Sequence, residues 1–398
     1  MIHLLIFAAV AVTAALLLHP RLANAPIWRA TTTPLASIIG SGFLVLGPVL
    51  NTAYGRYAPL VMALLCGGAY LFGSAIRFNI ATIAAANGQR SPLARGLEAA
   101  SSWALAFAYI VSVAYYLNLF GAFGVNLTPW GDSFHARLLT SAILLLILAV
   151  GWTRGFKALE RMEQVSVGIK LAVIAGLLAG LAAYFVRRDT GGGLFFNPPA
   201  LSGWNAIAVA FGLIVTVQGF ETSRYLKADY DPATRIRSMR MAQALSTAIY
   251  MVYIGLLTFS FPSATVKVQE TSIIGMMTVI ASALPLLLVA AALSAQFSAA
   301  VADTSGAGGL FAELTRGRVS PKRAYAILVG AGLLITWSAN VFQIISYASR
   351  AFALYYALQA AIAAVSARKN PRHRKYAPAY LALCLLGIAI VVFGIPVE

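Results

Sequence analysis

Long apolar runs, separated by short loops that carry basic residues, are the feature that most constrains what this chain can fold into. Of its 398 residues, 60% are hydrophobic and only 10% are charged, and the mean hydropathy is +0.81. Soluble domains carry about 25% charged residues, so the solvent that this composition fits is a lipid bilayer. A crossing helix takes about 20 residues. Little of the chain is then left for a soluble domain.

Apolar runs of about 17 to 28 residues predict an all-α integral membrane protein with about twelve crossing helices. We place these helices at residues 2–19, 32–52, 57–86, 98–125, 136–152, 162–187, 203–226, 241–262, 271–302, 322–338, 340–366 and 377–395. Residues 1–29 are interpreted as an accessory helix with its linker. A cleaved signal peptide is the alternative for the first run, although no positive charge precedes it.

Basic residues alternate between the predicted loops. Most of the 29 Lys and Arg residues fall in every second loop. The positive-inside rule then predicts a multi-pass protein of the cell (inner) membrane with both termini outside. The net charge of +17 follows from this topology. Because the basic residues form no stripe on a polar domain, we expect no nucleic-acid partner.

Sequence patterns for metal, nucleotide or catalytic chemistry are absent. The four histidines contain no i, i+4 pair, and no G-x-x-x-x-G-K-[ST] occurs. No nucleophile with a neighbouring base is evident either. We therefore expect no metal site, no cofactor and no enzymatic activity.

Two predicted spans, 32–52 and 203–226, contain glycine and polar residues at mid-span. Interrupted helices expose backbone groups that hydrocarbon cannot satisfy, so such segments line cavities in membrane proteins. A small-residue packing face is the alternative interpretation. The candidate substrate-binding residues in these segments are Ile39, Gly40, Ser41, Gly42, Gln218, Gly219 and Phe220.

The two interrupted spans stand in corresponding positions. Each is the first helix of a five-helix block, within residues 30–187 and 188–366. Because five is odd, the second block enters the membrane from the opposite side, which is typical of inverted-repeat transporters. Residues 367–398 add a basic loop and a C-terminal helix. Exposed N–H groups attract a carboxylate and exposed carbonyls attract an ammonium or another cation, so a zwitterion such as an amino acid fits the site.

Short motifs at these positions resemble those of the amino acid, polyamine and organocation (APC) transporter superfamily. Ile39-Gly40-Ser41-Gly42-Phe43 is similar to the first-helix G-S-G motif of that family, and Gly219-Phe220-Glu221 is similar to its sixth-helix G-F-E motif. Asp231-Pro232 follows in the order of the family's motifs. So does Gly309-Leu310-Phe311, which is expected after the eighth core helix. The resemblance covers about residues 30–395 and implies a LeuT-like five-plus-five inverted repeat with broken first and sixth core helices.

Departures from the family pattern indicate a distant branch. The second helix lacks the family's E-L-G motif, Asp303 stands near a position that is commonly basic, and Val215 replaces an aromatic gate found in some exchangers. Substrate identity therefore does not follow from the resemblance.

Lys170 is an ionisable residue inside a predicted span, roughly 12 Å deep at about 1.5 Å per residue. Such residues are costly in a bilayer and mark ion pathways. Desolvation disfavours the ammonium, so Lys170 is a candidate proton carrier. The resemblance places this ammonium at the second sodium site of the fold, between the first helix near Gly40 and the eighth near Ser294 and Ser298. A static link between helices and a snorkelling side chain are the alternatives.

Other polar residues of the spans are candidates for a gate or for the cavity wall. Arg350 stays charged and needs a partner, for which Glu221, Asp303 or an anionic substrate group are available. Glu221 and Asp303 are expected at a cytoplasmic gate. Aromatic side chains that are expected to close over a substrate are Phe220, Tyr347 and Tyr355.

Tyr109, Ser112 and Tyr116 recur at i, i+3 and i+7, so they share one helix face. Cavity lining and core packing are both consistent with that spacing.

The combined pattern predicts a secondary active transporter of amino acids or related amines that works by alternating access and is coupled to protons. Its partners would be the small-molecule substrate, a proton and membrane lipid. The alternatives are an amino acid exchanger, a sodium-coupled carrier of another small organic solute, and a membrane sensor or enzyme that kept the fold.

Overall fold

The computed structural model of the chain describes residues 2–40, 42–85, 91–153, 157–226, 230–265 and 268–397, with the backbone alone at 157–166 and 265. All regular elements within these ranges are helical. The α-helices are α1 (Ile2–Leu18), α2 (Pro20–Ala23), α3 (Pro26–Ile38), α4 (Gly42–Tyr54), α5 (Ala58–Ala85), α6 (Pro92–Asn126), α7 (Ser133–Thr153), α8 (Lys157–Gly191), α9 (Gly203–Gly212), α10 (Thr222–Tyr225), α11 (Pro232–Ser260), α12 (Ser272–Ile280), α13 (Leu284–Leu314), α14 (Pro321–Ser338), α15 (Val341–Lys369) and α16 (Ala377–Phe393).

The prediction of an all-α membrane protein is confirmed. Within the described ranges, eight helical segments are long and apolar enough to cross a bilayer. These are Gly42–Ala85, Pro92–Asn126, Ser133–Thr153, Val167–Gly191, Pro232–Ser260, Leu284–Leu314, Val341–Lys369 and Arg374–Phe393. The remaining predicted spans coincide with shorter or interrupted helices. The total of twelve crossings stays a prediction.

Several helices begin with the same local device. Ser91, Asp231 and Ser320 each accept a hydrogen bond from the backbone N–H three residues ahead, and a proline follows each of them. Proline at the first helical position loses no hydrogen bond, because that N–H has no partner within the helix. At Asp231, bonds from the backbone and side chain of Thr234 lower the pKa of the exposed carboxyl group.

The predicted single span at 271–302 is wrong. The structure has α12, then Ala281 in extended conformation (φ −160°, ψ 134°), and then α13. Pro285 lies in the first turn of α13, where its ring is tolerated because the N–H groups there have no helical acceptor. The apolar run conceals this boundary, since residues on both sides of it are hydrophobic.

Gly309-Leu310-Phe311 was expected after the eighth core helix, but it lies inside α13. That helix ends further on, where Arg316 and Gly317 adopt φ values of 53° and 79°. The Gly317 N–H donates to the Ala312 carbonyl at 2.8 Å, which closes the helix end.

The core of the bundle forms around α6, which packs against both α13 and α15. Helix α11 packs against α3 and α5, and α16 lies along α15. The accessory helix α1 packs on α8, where Gly176 and Gly180 let the two helices approach closely at Ile6. The two interrupted segments, near Gly40 and Gly219, lie buried among these helices.

Candidate functional site

The first predicted interruption is present in the structure. Helix α3 ends at Ile38, Ile39 departs from helical geometry (φ −83°, ψ 27°), and α4 begins at Gly42. Gly40 lies between them and is buried, whereas Ser41 lies outside the described residues. The last carbonyls of α3 and the first N–H groups of α4 are therefore helix ends that lie inside the protein.

The second interruption is present as well. After α9, residues Ile214–Val217 form a 3-10 turn and Gln218 is extended (φ −81°, ψ 172°). Gly219 then adopts φ +117°, a conformation that side-chain-bearing residues rarely adopt, and α10 begins three residues later. Gln218, Gly219, Phe220 and Glu221 are all buried.

The two interruptions touch each other. A Cβ atom placed on Gly42 would lie 2.5 Å from the Cβ of Thr216, and one placed on Gly219 would lie 2.6 Å from the Cβ of Ser37. Only glycine allows both approaches, so these two glycines set the distance between the broken helices.

Tyr250 holds the helix ends at this contact. Its hydroxyl lies 2.9 Å from the Ile38 carbonyl and 2.7 Å from the Thr216 carbonyl, one from each interrupted helix. A phenol has one proton, so the two carbonyls share a single donor. Phe43 packs on the rings of Tyr250 and Tyr253, which keeps the phenol in place.

Lys170 lies on α8 and is 4% exposed. Its Nζ donates to the Ala36 carbonyl of α3 at 2.7 Å, close to the first interruption. Helix α13, which carries Ser294 and Ser298, packs against both α8 and α3. Lys170 thus links α8 to the end of α3 beside the first interruption.

Glu221 connects the second interruption to α15. Its Oε2 accepts hydrogen bonds from the Gly219 backbone N–H and from the Tyr356 hydroxyl, both at 2.9 Å. The ring of Tyr356 stacks on Phe220 at 5.1 Å and on Phe72 at 5.3 Å between centroids. A displacement of α15 therefore acts directly on the backbone of the interrupted segment.

The face of α6 that carries Tyr109, Ser112 and Tyr116 points into the protein. The Ser112 hydroxyl donates to the carboxylate of Asp303 on α13, and Gln218 donates to the Tyr116 hydroxyl at 2.8 Å. Tyr109 is 7% exposed on the same face. The structure therefore places Tyr116 against the second interruption and Ser112 against α13.

A polar network lies at the side of the bundle where α5 and α15 end and α6 and α16 begin, which we term the basic face. Arg224 forms an ion pair with Glu98 on α6 and also donates to the Gln359 side chain on α15. Gln359 in turn bonds to Asn79 on α5 and to Ser101. Four helices are linked through one guanidinium that is 8% exposed.

Two predicted gate residues, Arg350 and Tyr347, do not make the contacts that were predicted for them. The Arg350 guanidinium donates to the carbonyl of Gly394 at the end of α16, at 2.9 Å from its Nε. The carboxylate of Glu221 bonds instead to Gly219 and Tyr356. Tyr347 is 46% exposed and does not belong to the buried aromatic group around Phe220.

Sequence reasoning missed Tyr250, Tyr356, Glu98 and Gln359, which supply most of the contacts described above. Their partners lie 34 to 280 residues away along the chain, so no local spacing reveals the pairing. Among the residues that the structure describes, no group of three or more His, Cys, Asp or Glu side chains is placed to hold a metal ion.

Interrupted helices that meet inside a bundle of membrane-spanning helices define a class of membrane transporters. The chain matches the family model of an APC superfamily transporter over residues 20–394, and it belongs to that family. It is 40% identical over 387 residues to an uncharacterized protein of Aquifex aeolicus (strain VF5), an alignment that covers 96% of this chain and 94% of that protein. Membership of a transporter family also agrees with the expectation that the chain is not an enzyme.

Proposed function

We propose that the protein is a secondary active transporter of amino acids or related amines, which moves its substrate across the cell membrane by alternating access. The observation that carries this proposal is the contact between the two interrupted helices at Gly42 and Gly219. Backbone groups freed by such interruptions bind charged solutes, and the close contact lets one site respond to movement of either helix.

The groups around this contact suit a zwitterion. The first N–H groups of α4 lack acceptors within their own helix and form the positive end of its dipole, which favours a carboxylate. For an ammonium group, the carboxylates of Glu221 and Asp303 supply negative charge near the second interruption. The Oε1 of Gln218 is buried and has no partner within the described part of the chain, so it is available to accept from the substrate.

Lys170 supports coupling to protons. A lysine that releases its proton loses its charge and with it much of its attraction to the Ala36 carbonyl, 2.7 Å away. The protonation state of Lys170 and the position of α3 are therefore linked. Helix α3 forms one side of the first interruption. The basic loops support an orientation with both termini outside.

Uptake into proteoliposomes tests the proposal. Purified protein is given a panel of radiolabelled amino acids and amines with an inside-alkaline pH gradient, and we expect at least one of them to accumulate. Exchange at a rate that does not depend on the pH gradient would identify an exchanger. Uptake that is lost when choline replaces sodium would identify a sodium-coupled carrier. If no amino acid, amine or organic acid moves under any gradient, the protein is not a transporter of this class.

Tyr356→Phe is expected to slow transport about tenfold or more, because a hydrogen bond to a charged group contributes about 1.5–3 kcal/mol. The substitution removes the bond to Glu221 and keeps the ring that stacks on Phe220. Initial uptake rates measure the effect. Tyr347→Phe, on an exposed side chain of the same helix, is the matched control and should transport normally. Equal rates for both variants would remove Tyr356 from the mechanism.

Glu98→Gln is expected to increase the population of a state in which the protein is open on the basic face. The variant leaves Arg224 buried without its carboxylate partner. Because Glu98 is 28% exposed and partly screened, we expect a shift of about 1–2 kcal/mol, or about tenfold, towards an open state.

The rate at which a maleimide labels Ser223→Cys reports that opening, with both native cysteines replaced by serine. Ser223 is fully buried on α10 in the wild type. Glu313→Gln removes an exposed carboxylate near the end of α13, which lies on the same face, and should leave the labelling rate unchanged. Labelling that is equally slow in Glu98→Gln and the parent would contradict a gating role for the Arg224–Glu98 pair.

A further inference from the structure

A groove of about 400 Å³ lies on the basic face between the end of α15 and the beginning of α16. Its lining contains two exposed arginines, Arg368 and Arg374, and otherwise apolar side chains that include Ala364, Pro378 and Leu381. None of these residues takes part in the contacts of the interrupted helices.

Charged and apolar parts of the groove lie at different depths. Ala364 precedes Arg368 by one turn of α15, and Leu381 follows Arg374 by two turns. Both guanidinium groups therefore stand at the aqueous mouth, and the apolar floor extends about 6–10 Å towards the membrane interior at 1.5 Å per residue.

Packing against α5 holds the connecting segment in place. His373 contacts the ring of Phe78 at 5.4 Å between centroids, and Tyr380 contacts the same ring at 5.2 Å. Asn370 accepts a hydrogen bond from the Arg372 backbone through its side chain. The two arginines thus project from an ordered segment, which reduces the entropy lost when they bind a ligand.

We propose that this groove binds an anionic phospholipid of the membrane leaflet on the basic face. The phosphate would lie between Arg368 and Arg374, since one guanidinium group can donate two parallel hydrogen bonds to phosphate oxygens. The adjoining acyl chain would cover Ala364, Pro378 and Leu381. Basic pockets between helix ends on this side of a membrane recognise lipid headgroups in this way.

The apolar floor decides in favour of a phospholipid over free phosphate. Free phosphate would leave the alkyl surface of Ala364 and Leu381 without apolar contacts, whereas the acyl chain of a phospholipid packs against that surface by van der Waals contact. Charge and apolar surface are continuous here, and only an amphipathic anion uses both.

Native mass spectrometry of the full chain in detergent, titrated with phosphatidylglycerol, tests the proposal. The informative variant is Arg368→Gln/Arg374→Gln. The matched control is Arg372→Gln/Lys375→Gln, which removes the same charge from the same segment without touching the groove. At about 1 kcal/mol for each basic residue near the surface, the first variant should bind phosphatidylglycerol about thirtyfold more weakly than the wild type and the control.

Ala364→Trp provides a second test, because it fills the floor and keeps both charges. We expect it to weaken phosphatidylglycerol binding while thermal unfolding in detergent stays unchanged. Equal losses in the two charge variants would show general attraction to the basic loop and would overturn the site. Displacement of the lipid by millimolar inorganic phosphate would reassign the ligand to free phosphate, and retention of phosphatidylcholine to the same extent would remove the requirement for an anion.

Discussion

Lys170→Ala is expected to abolish accumulation of substrate against its gradient and to leave exchange intact. A gradient of about one pH unit is worth about 1.4 kcal/mol per proton, so a carrier that moves one proton with each substrate concentrates it about tenfold. Without the lysine amine, the bond from Nζ to the Ala36 carbonyl is lost and no group at this position takes up the proton. Accumulation should then fall to the equilibrium ratio of one inside to one outside.

The measurement is the steady-state ratio of radiolabelled substrate inside and outside proteoliposomes with an inside-alkaline gradient. Lys170→Arg separates charge from proton release, because arginine donates hydrogen bonds but keeps its proton. We expect this variant to exchange substrate and to accumulate none. Lys322→Ala, an exposed lysine at the beginning of α14, is the control and should behave as the wild type. Tenfold accumulation by Lys170→Ala would make Lys170 a static link between α8 and α3.

Local chemistry explains which parts of the fold were predictable. Both interruptions were recognised because Gly40, Gly42 and Gly219 stand beside polar residues at mid-span, where hydrocarbon cannot satisfy a free backbone. The predicted span 241–262 begins later than α11, because a hydropathy run omits the polar first turns that follow the cap at Asp231-Pro232. The face shared by Tyr109, Ser112 and Tyr116 follows from helical periodicity.

Contacts between distant segments were not predictable in the same way. Arg350 was expected to pair with an acid, yet its partner is a backbone carbonyl of Gly394, and every residue has such a carbonyl. Arg77 lies inside the predicted span 57–86, and its burial depends on Gln243, which is 166 residues away, together with the ring of Tyr70. Apolar composition likewise hides the boundary between α12 and α13. These features depend on three-dimensional packing, which hydropathy averages do not contain.

Gly219→Ala is expected to reduce transport by at least about tenfold without unfolding the bundle. The alanine would have to adopt φ +117°, at a cost of about 1–3 kcal/mol. Its Cβ would also lie 2.6 Å from atoms of Ser37, and such overpacking costs about another 1–3 kcal/mol. Both penalties apply to the arrangement in which the interrupted helices touch, so that arrangement becomes rarer in the transport cycle.

Initial uptake rates and thermal unfolding in detergent, measured on the same preparations, distinguish a transport defect from misfolding. Gly255→Ala is the matched control, since no atom lies within 4 Å of the added methyl group on α11 and alanine favours a helix. We expect the control to transport as the wild type does. Normal transport by Gly219→Ala would show that the contact between the interruptions is not required, and the proposed mechanism would lose the observation on which it rests. A loss in Gly219→Ala alone, with the unfolding temperature largely retained, would tie movement of the two broken helices to substrate translocation.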